Sequence, residues 1–184
     1  MTVRLRAGLP SLRRHASRRA IEGCFAACGT RFGLRVVHYS IQSNHAHLVV
    51  ESAGKRSLAR GMQALLVRLA RALNRVWDRR GSVFSDRYHA RTLRTPREVR
   101  AALVYVLQNA RRHGFRGTGL DPYSSALAFD GWTRLVRTVE PPGTPAARTW
   151  LLRVGWRRHG LIGPDESPRN GTAHSALRDE PRGR

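Results

Sequence analysis

Lysine is nearly absent from this chain. Lys55 is the single lysine among 34 basic residues, and only 12 acidic residues oppose them over 184 positions, a formal charge of +22. A surface so rich in arginine favours a polyanionic partner, with nucleic acid the first candidate and an anionic membrane surface the second. Cysteine is scarce as well: Cys24 and Cys28 stand four residues apart in "IEGCFAACG". They read as small core residues of a cytosolic protein, and a disulfide framework is excluded. No run of about 18 apolar residues is present, so nothing reads as a membrane span. The twin arginines Arg13-Arg14 and Arg18-Arg19 are not followed by the apolar segment of roughly 7–15 residues that an export signal needs.

What is there suffices for one domain with an appendage, since 41% of residues are hydrophobic. "TVRLR" (2–6) alternates as a short strand. From about His15 to Phe32, Ala20, Ile21, Cys24, Phe25, Cys28 and Phe32 recur at a helical period. "LRVVHYSI" (34–41) and "HAHLVVE" (45–51) read as two strands of a hairpin across "QSN". A long helix over Ser57–Arg80 follows, with Leu58, Met62, Leu65, Leu69, Leu73 and Trp77 as its apolar stripe. Arg68, Arg71, Arg75 and Arg79 line up on another face without interspersed glutamate, either a solvated face or a nucleic-acid contact. "SVFSDRYHARTL" (82–93) reads as a fourth strand with imperfect alternation. Thr95-Pro96-Arg97-Glu98 is a capping box with proline at the first helical position, opening a helix to about His113 that Gly114 stops.

The order β-α-β-β-α-β-α predicts an α/β (α+β) domain over 1–114, a ferredoxin-like antiparallel sheet with an added C-terminal helix. Its first and third strands are central, which puts "HAHLVVE" in the middle. Residues 115–164 form an extension that packs on the core or on DNA, with 146–160 readable as one amphipathic helix. Residues 165–184, polar and rich in Pro and Gly, read as a disordered tail.

In a strand, residues i and i+2 share a face, so His45, His47 and Val49 oppose Ala46, Leu48 and Val50. With Cα atoms about 6–7 Å apart, two imidazoles can converge on one divalent ion. They can equally be histidines on a half-wet face, hydrogen-bonded to neighbours. A metal needs further ligands, and the last helix is the element that can return to that face. Counting ~100° per residue, Tyr105 lies about 130° from the centre of its apolar stripe, Asn109 about 90° and Gln108 about 170°. Asn109 therefore offers a carbonyl oxygen to a hard cation, while Gln108 is expected to face solvent. Paired histidines, a Tyr/Asn helix and strong positive charge together describe a metal-assisted tyrosine nucleophile acting on phosphodiester.

The segments "YSIQSNHAHLVVE", "RGMQALLVRLARALNR", "GSVFSDRYHARTLRTPREVRAALVYVLQNARRHG" and "DPYSSALAFDGW" together resemble the REP-associated tyrosine transposases. These are single-tyrosine members of the HUH (His-hydrophobic-His) nuclease superfamily. The resemblance spans about residues 34–133. It implies that His45 and His47 hold Mg²⁺ or Mn²⁺ with Asn109 as third ligand, and that the added helix carries the nucleophile, Tyr105. It further implies cleavage of single-stranded DNA through a 5′-phosphotyrosine, strand transfer by a second 3′-OH, and hairpin-forming repeats as targets. Arg68, Arg71, Arg75, Arg79 and Arg112 would contact that DNA. The expected protein is a monomer or homodimer of the bacterial cytoplasm, associated with the nucleoid and not with a membrane. The alternative is a nucleic-acid-binding protein of the same fold that no longer cuts.

Overall fold

A computed structural model describes residues 1–28, 33–112, 119–134 and 144–167. Three strands, β1 (Thr2–Arg4), β2 (Leu34–Ile41) and β3 (His45–Ser52), form an antiparallel sheet in the order β1-β3-β2. β3 is central, as expected, with Thr2 opposite His47 and Leu48 opposite Tyr39. The expected strand 82–93 is not continuous. It meets β1 and Leu5, just past its end, only at isolated bridges, Thr2 with His89 and Leu5 with Phe84. The two bridges are three residues apart at the N-terminal end of the chain but five apart on the other segment. Two extra residues, in the turn-forming stretch Ser85-Asp86-Arg87, throw the ladder out of register.

Alternation along β2 and β3 sends side chains into two separate cores. Leu34, Val36, Tyr39, Ile41, Ala46 and Leu48 meet α1 (His15–Cys28) and α2 (Lys55–Val76) through Ile21, Cys24, Phe25, Met62, Leu65, Leu69 and Leu73. Cys24 is a buried core residue, as its spacing suggested. A bulge at Val37, between Val36 and His38, shifts the alternation of β2 by one. Past it Tyr39 and Ile41 face the first core, while Val37 and, from β3, Val49 face the second, built by α3 (Pro96–Leu107) and the C-terminal extension: Val99, Leu103, Val106, Phe129, Trp132, Leu152, Trp156 and Ile162. The sheet is thus covered on both faces. Among the described residues no helix is long and apolar enough to cross a membrane.

Helix ends depart from the periodicity in two places, the end of α2 and the break of α3. α1 is described to Cys28; the expected continuation to Phe32 lies outside the described residues. α2 ends at Val76, because Trp77 caps it and Asp78 takes a φ of 47°, so Arg79 lies beyond the helix and off its arginine face. α3 starts on the predicted capping box, with Thr95 accepting from the Glu98 amide and Glu98 reaching back to the Thr95 amide. It breaks at Gln108 before a single turn, α4 (Asn109–Arg112), and the stop expected at Gly114 lies outside the described residues.

The stretch 146–160 is not one helix. α5 (Trp150–Arg153) gives way at Val154 to a 3-10 turn, Gly155–His159. Gly155 lies so close to Trp150 that a Cβ there would come within 2.7 Å of the indole ring. The extension is clipped to β3 by Glu51, whose carboxylate accepts from the Arg148 and Thr149 amides and the Thr149 hydroxyl. Burial alone would raise that carboxyl, but these donors and the Arg35 guanidinium 3.3 Å away hold it below its ordinary value. The packed chain continues past the expected boundary at 164. Glu166 pairs with Arg100 at 2.7 Å, and Asp165 pairs with Arg111 and Arg134. The rest of the expected tail, from 168, lies outside the described residues.

α2 crosses β2 closely at Gly61, where an added Cβ would stand 2.4 Å from the Leu34 Cβ. Alanine gains about 1 kcal/mol of helix propensity, but overpacking two stiff positions costs about 1–3 kcal/mol. Gly61→Ala should therefore lower the urea midpoint of unfolding; an equal or higher midpoint would contradict this close approach.

Candidate metal and nucleophile site

On β3, Ala46 and Leu48 are core residues of the α1/α2 face, so His45 and His47 project towards α3. His47 is 5% exposed and His45 half-buried. Their rings meet edge to face, and the two Nε2 atoms are 3.1 Å apart. The Nδ1 atoms turn elsewhere: His45 Nδ1 lies 2.8 Å from Asn44 Oδ1, and His47 Nδ1 lies 2.9 Å from Thr2 Oγ1. An amide oxygen only accepts, so His45 donates from Nδ1 and presents the Nε2 lone pair. The Thr2 hydroxyl can accept from His47 in the same way. Two nitrogens bonded at right angles to one small divalent cation, with bonds of about 2.1 Å, lie about 3 Å apart. The observed spacing fits that arrangement and equally a hydrogen bond between the two Nε2 atoms.

α3 lays Tyr105 over this pair. Its hydroxyl is 3.4 Å from His47 Nε2, and its ring meets the imidazole edge to face at 5.0 Å. One turn further, Asn109 is fully buried, and neither its Oδ1 nor its Nδ2 has a hydrogen-bond partner. An unsatisfied buried amide costs about 1–3 kcal/mol, a cost that a bound cation would relieve at the oxygen. Among the described residues no three His, Cys, Asp or Glu side chains gather into a metal group. Asn109, with an amide oxygen that has no hydrogen-bond partner, has the chemistry of a ligand for a hard cation.

Gln108 is not turned to solvent as its helical angle suggested. It is 3% exposed; its Nε2 donates to the Pro164 carbonyl at 2.6 Å, and its Oε1 accepts from Arg111. The extension lies across the outer side of α3, where Arg100 also binds the Gly160 and Leu161 carbonyls. A helical wheel with the sheet as the sole partner could not see that second layer.

His47 and Tyr105 line one groove of about 1050 Å³. Its walls include Leu58, Leu93 and Val99, and its rim carries Lys55, Arg91, Arg94 and Arg97. Arg91 is paired with Glu98 at 2.6 Å, whose carboxyl is pushed down to about 2, chiefly by the Arg94 amide and then by Arg91. Arg94, Arg97 and Lys55 form no ion pair among the described residues. The sequence reading missed these three, although "RTLRTPR" (91–97) carries Arg94 just ahead of α3 and Arg97 in its first turn. Arg68, Arg71 and Arg75 are exposed on α2, and they do not line the groove. Arg79 is half-buried and donates to Asn74 Oδ1 at 2.7 Å. The side chain of Arg112 lies outside the described residues.

The site is thus a central strand with paired histidines, faced by Tyr105 on α3 and by the buried amide of Asn109 on α4, in an arginine-rich α+β domain. Residues 10–109 match the family described as "Transposase IS200 like", a span that contains His45, His47, Tyr105 and Asn109. The chain belongs to the IS200-like transposase family, and by that membership it is a transposase acting on DNA. No curated protein and no solved structure matches it.

Asn109→Leu, which keeps the branched shape with bulkier ends and removes the stranded amide, should stabilise the metal-free protein by up to about 1–3 kcal/mol, the cost of a buried unsatisfied polar group. It should also remove the rise in melting temperature that Mn²⁺ gives the unaltered chain. A less stable metal-free variant, or an undiminished Mn²⁺ effect, would contradict the cation-ligand reading of Asn109.

Proposed function

We propose that this transposase is a single-tyrosine, HUH-type enzyme of the REP-associated group, a divalent-metal-dependent endonuclease and strand-transferase acting on single-stranded DNA. The observation that carries this reading is the Tyr105 hydroxyl beside two imidazole nitrogens spaced for one cation, at the wall of a groove rimmed by arginines. His45, His47 and Asn109 would hold Mg²⁺ or Mn²⁺, which supplies Lewis acidity towards the scissile phosphate.

The chain's own part is positioning and nucleophilic attack. Arg94, Arg97 and Lys55 are available to hold strand phosphates along the groove. Arg68, Arg71 and Arg75, on the far side of the sheet, would meet DNA that runs beyond it, hairpin-forming repeats being the expected target. Tyr105 is held by α3, whose neighbouring residues Val104 and Val106 are buried, so its oxygen approaches from a fixed direction. The Tyr105 oxygen–phosphorus bond forms as the bond from phosphorus to the 3′ oxygen breaks. The phenol gives up one proton and the departing 3′ oxygen gains one. A 5′-phosphotyrosine and a free 3′-OH result, and attack by a second 3′-OH reverses the ester and joins strands.

Tyr105→Phe removes one oxygen and little packing. It should bind single-stranded DNA as before yet form no SDS-resistant adduct in Mg²⁺ or Mn²⁺. An adduct with the Phe variant would move the nucleophile elsewhere, with Tyr88 the next residue to examine. No adduct from the unaltered chain on any strand selected from a random pool would leave a protein that binds nucleic acid without cutting it.

A further inference from the structure

The chain has four tryptophans, and three serve the fold. Trp156 and Trp132 are 1% and 7% exposed, and the half-buried Trp77 donates its indole N–H to Ser17. Trp150 is different: it is 49% exposed, in a segment that also exposes Val154 and several arginines. Exposed apolar residues scattered over a surface need no explanation, but this ring is held in place. Gly155 makes room for it, since any Cβ there would collide with the indole, and the Arg158 guanidinium lies over the ring, 4.8 Å from its centroid. Arg148 and Arg153, also exposed, flank it in sequence. Its neighbours Thr149, Leu151 and Leu152, with His159, line the same groove as His47 and Tyr105.

We propose that Trp150, backed by Arg158, is a stacking platform for a nucleobase of the single strand whose phosphates the groove holds. The inference rests on the reading of the groove as a single-strand DNA site. An indole with a guanidinium on it offers a flat, polarisable, positively charged surface. Unpaired bases of any sequence stack on such surfaces, while the bases of a duplex, already stacked on one another, cannot. The charge around it suits the flanking phosphates. The platform would hold the strand at the edge of the site, away from the reacting atoms, so its effect falls on binding and register.

The test uses the full chain, metal-free, with two probes of equal length and charge: oligothymidylate, and the same backbone with abasic residues. The unaltered chain should bind the thymidylate about 10-fold or more tightly than the abasic strand, the scale of one base stacked on an aromatic side chain. Trp150→Ala should lose most of that preference while keeping its affinity for the abasic strand, and Trp150→Phe should restore much of it. Oligothymidylate should quench the fluorescence of the unaltered chain, in which Trp150 is the most exposed indole. The comparison of probes within each protein separates a lost stack from a loosened fold, because loosening weakens both probes together. Equal affinity of the unaltered chain for the two probes, or an undiminished preference in Trp150→Ala, would overturn the platform and leave the groove reading standing. No binding of either probe by the unaltered chain would overturn both.

Discussion

Two-residue alternation along β3 decides what each side of this molecule can do. Ala46 and Leu48 enter the core against α1 and α2, while His47, Val49 and Glu51 face α3 and the extension. A one-residue slip would exchange the two sets and put imidazoles and a carboxylate into the apolar core. Register is therefore specified by burial on both faces. The same strand then carries a polar pair at one end, an apolar residue in the middle and a buried acid at the other.

Each of these three positions engages a different part of the chain. His45 and His47 meet Tyr105, Val49 packs in the core of α3, and Glu51 takes the amides that open α5. The extension is accordingly part of the scaffold of the site. It buries the outer side of α3 through Gln108 and Arg100, and α3 cannot turn about its axis without giving up those bonds. Tyr105 is held from both sides of its helix, as a positioned nucleophile requires. Asn109 shows the opposite economy: a fully buried amide with no protein partner lowers the stability of the chain alone, a state that persists where a ligand supplies what the fold withholds.

Much of this was legible in the sequence, because it depends on short-range periodicity. The strand hairpin, the capping box at Thr95, the apolar stripe of α2 and the shared face of His45 and His47 all follow from spacing alone. What was not legible depends on partners distant in the chain. Gln108 looked solvent-facing because nothing in its helix announces that Gly163 and Pro164 will cover it. Residues 82–93 alternate well enough to suggest a strand, yet two surplus residues between their two bridges break the ladder, and only the pairing reveals that. Arg79 fits the arginine spacing of α2 on paper, but the helix ends three residues before it. Arg94 and Arg97 continue a three-residue spacing from Arg91, but nothing in that spacing says that a groove lies beside them. They reach the groove only because a capping box turns the chain there.

The central claim is that His45, His47 and Asn109 form one cation site beside Tyr105. Calorimetric titration of Mn²⁺ into the metal-free protein, without DNA, tests it most directly. The account predicts one saturable equivalent per chain, lost in His47→Ala and retained in Tyr105→Phe. Absence of saturable binding, or binding that survives the loss of His47, would contradict it.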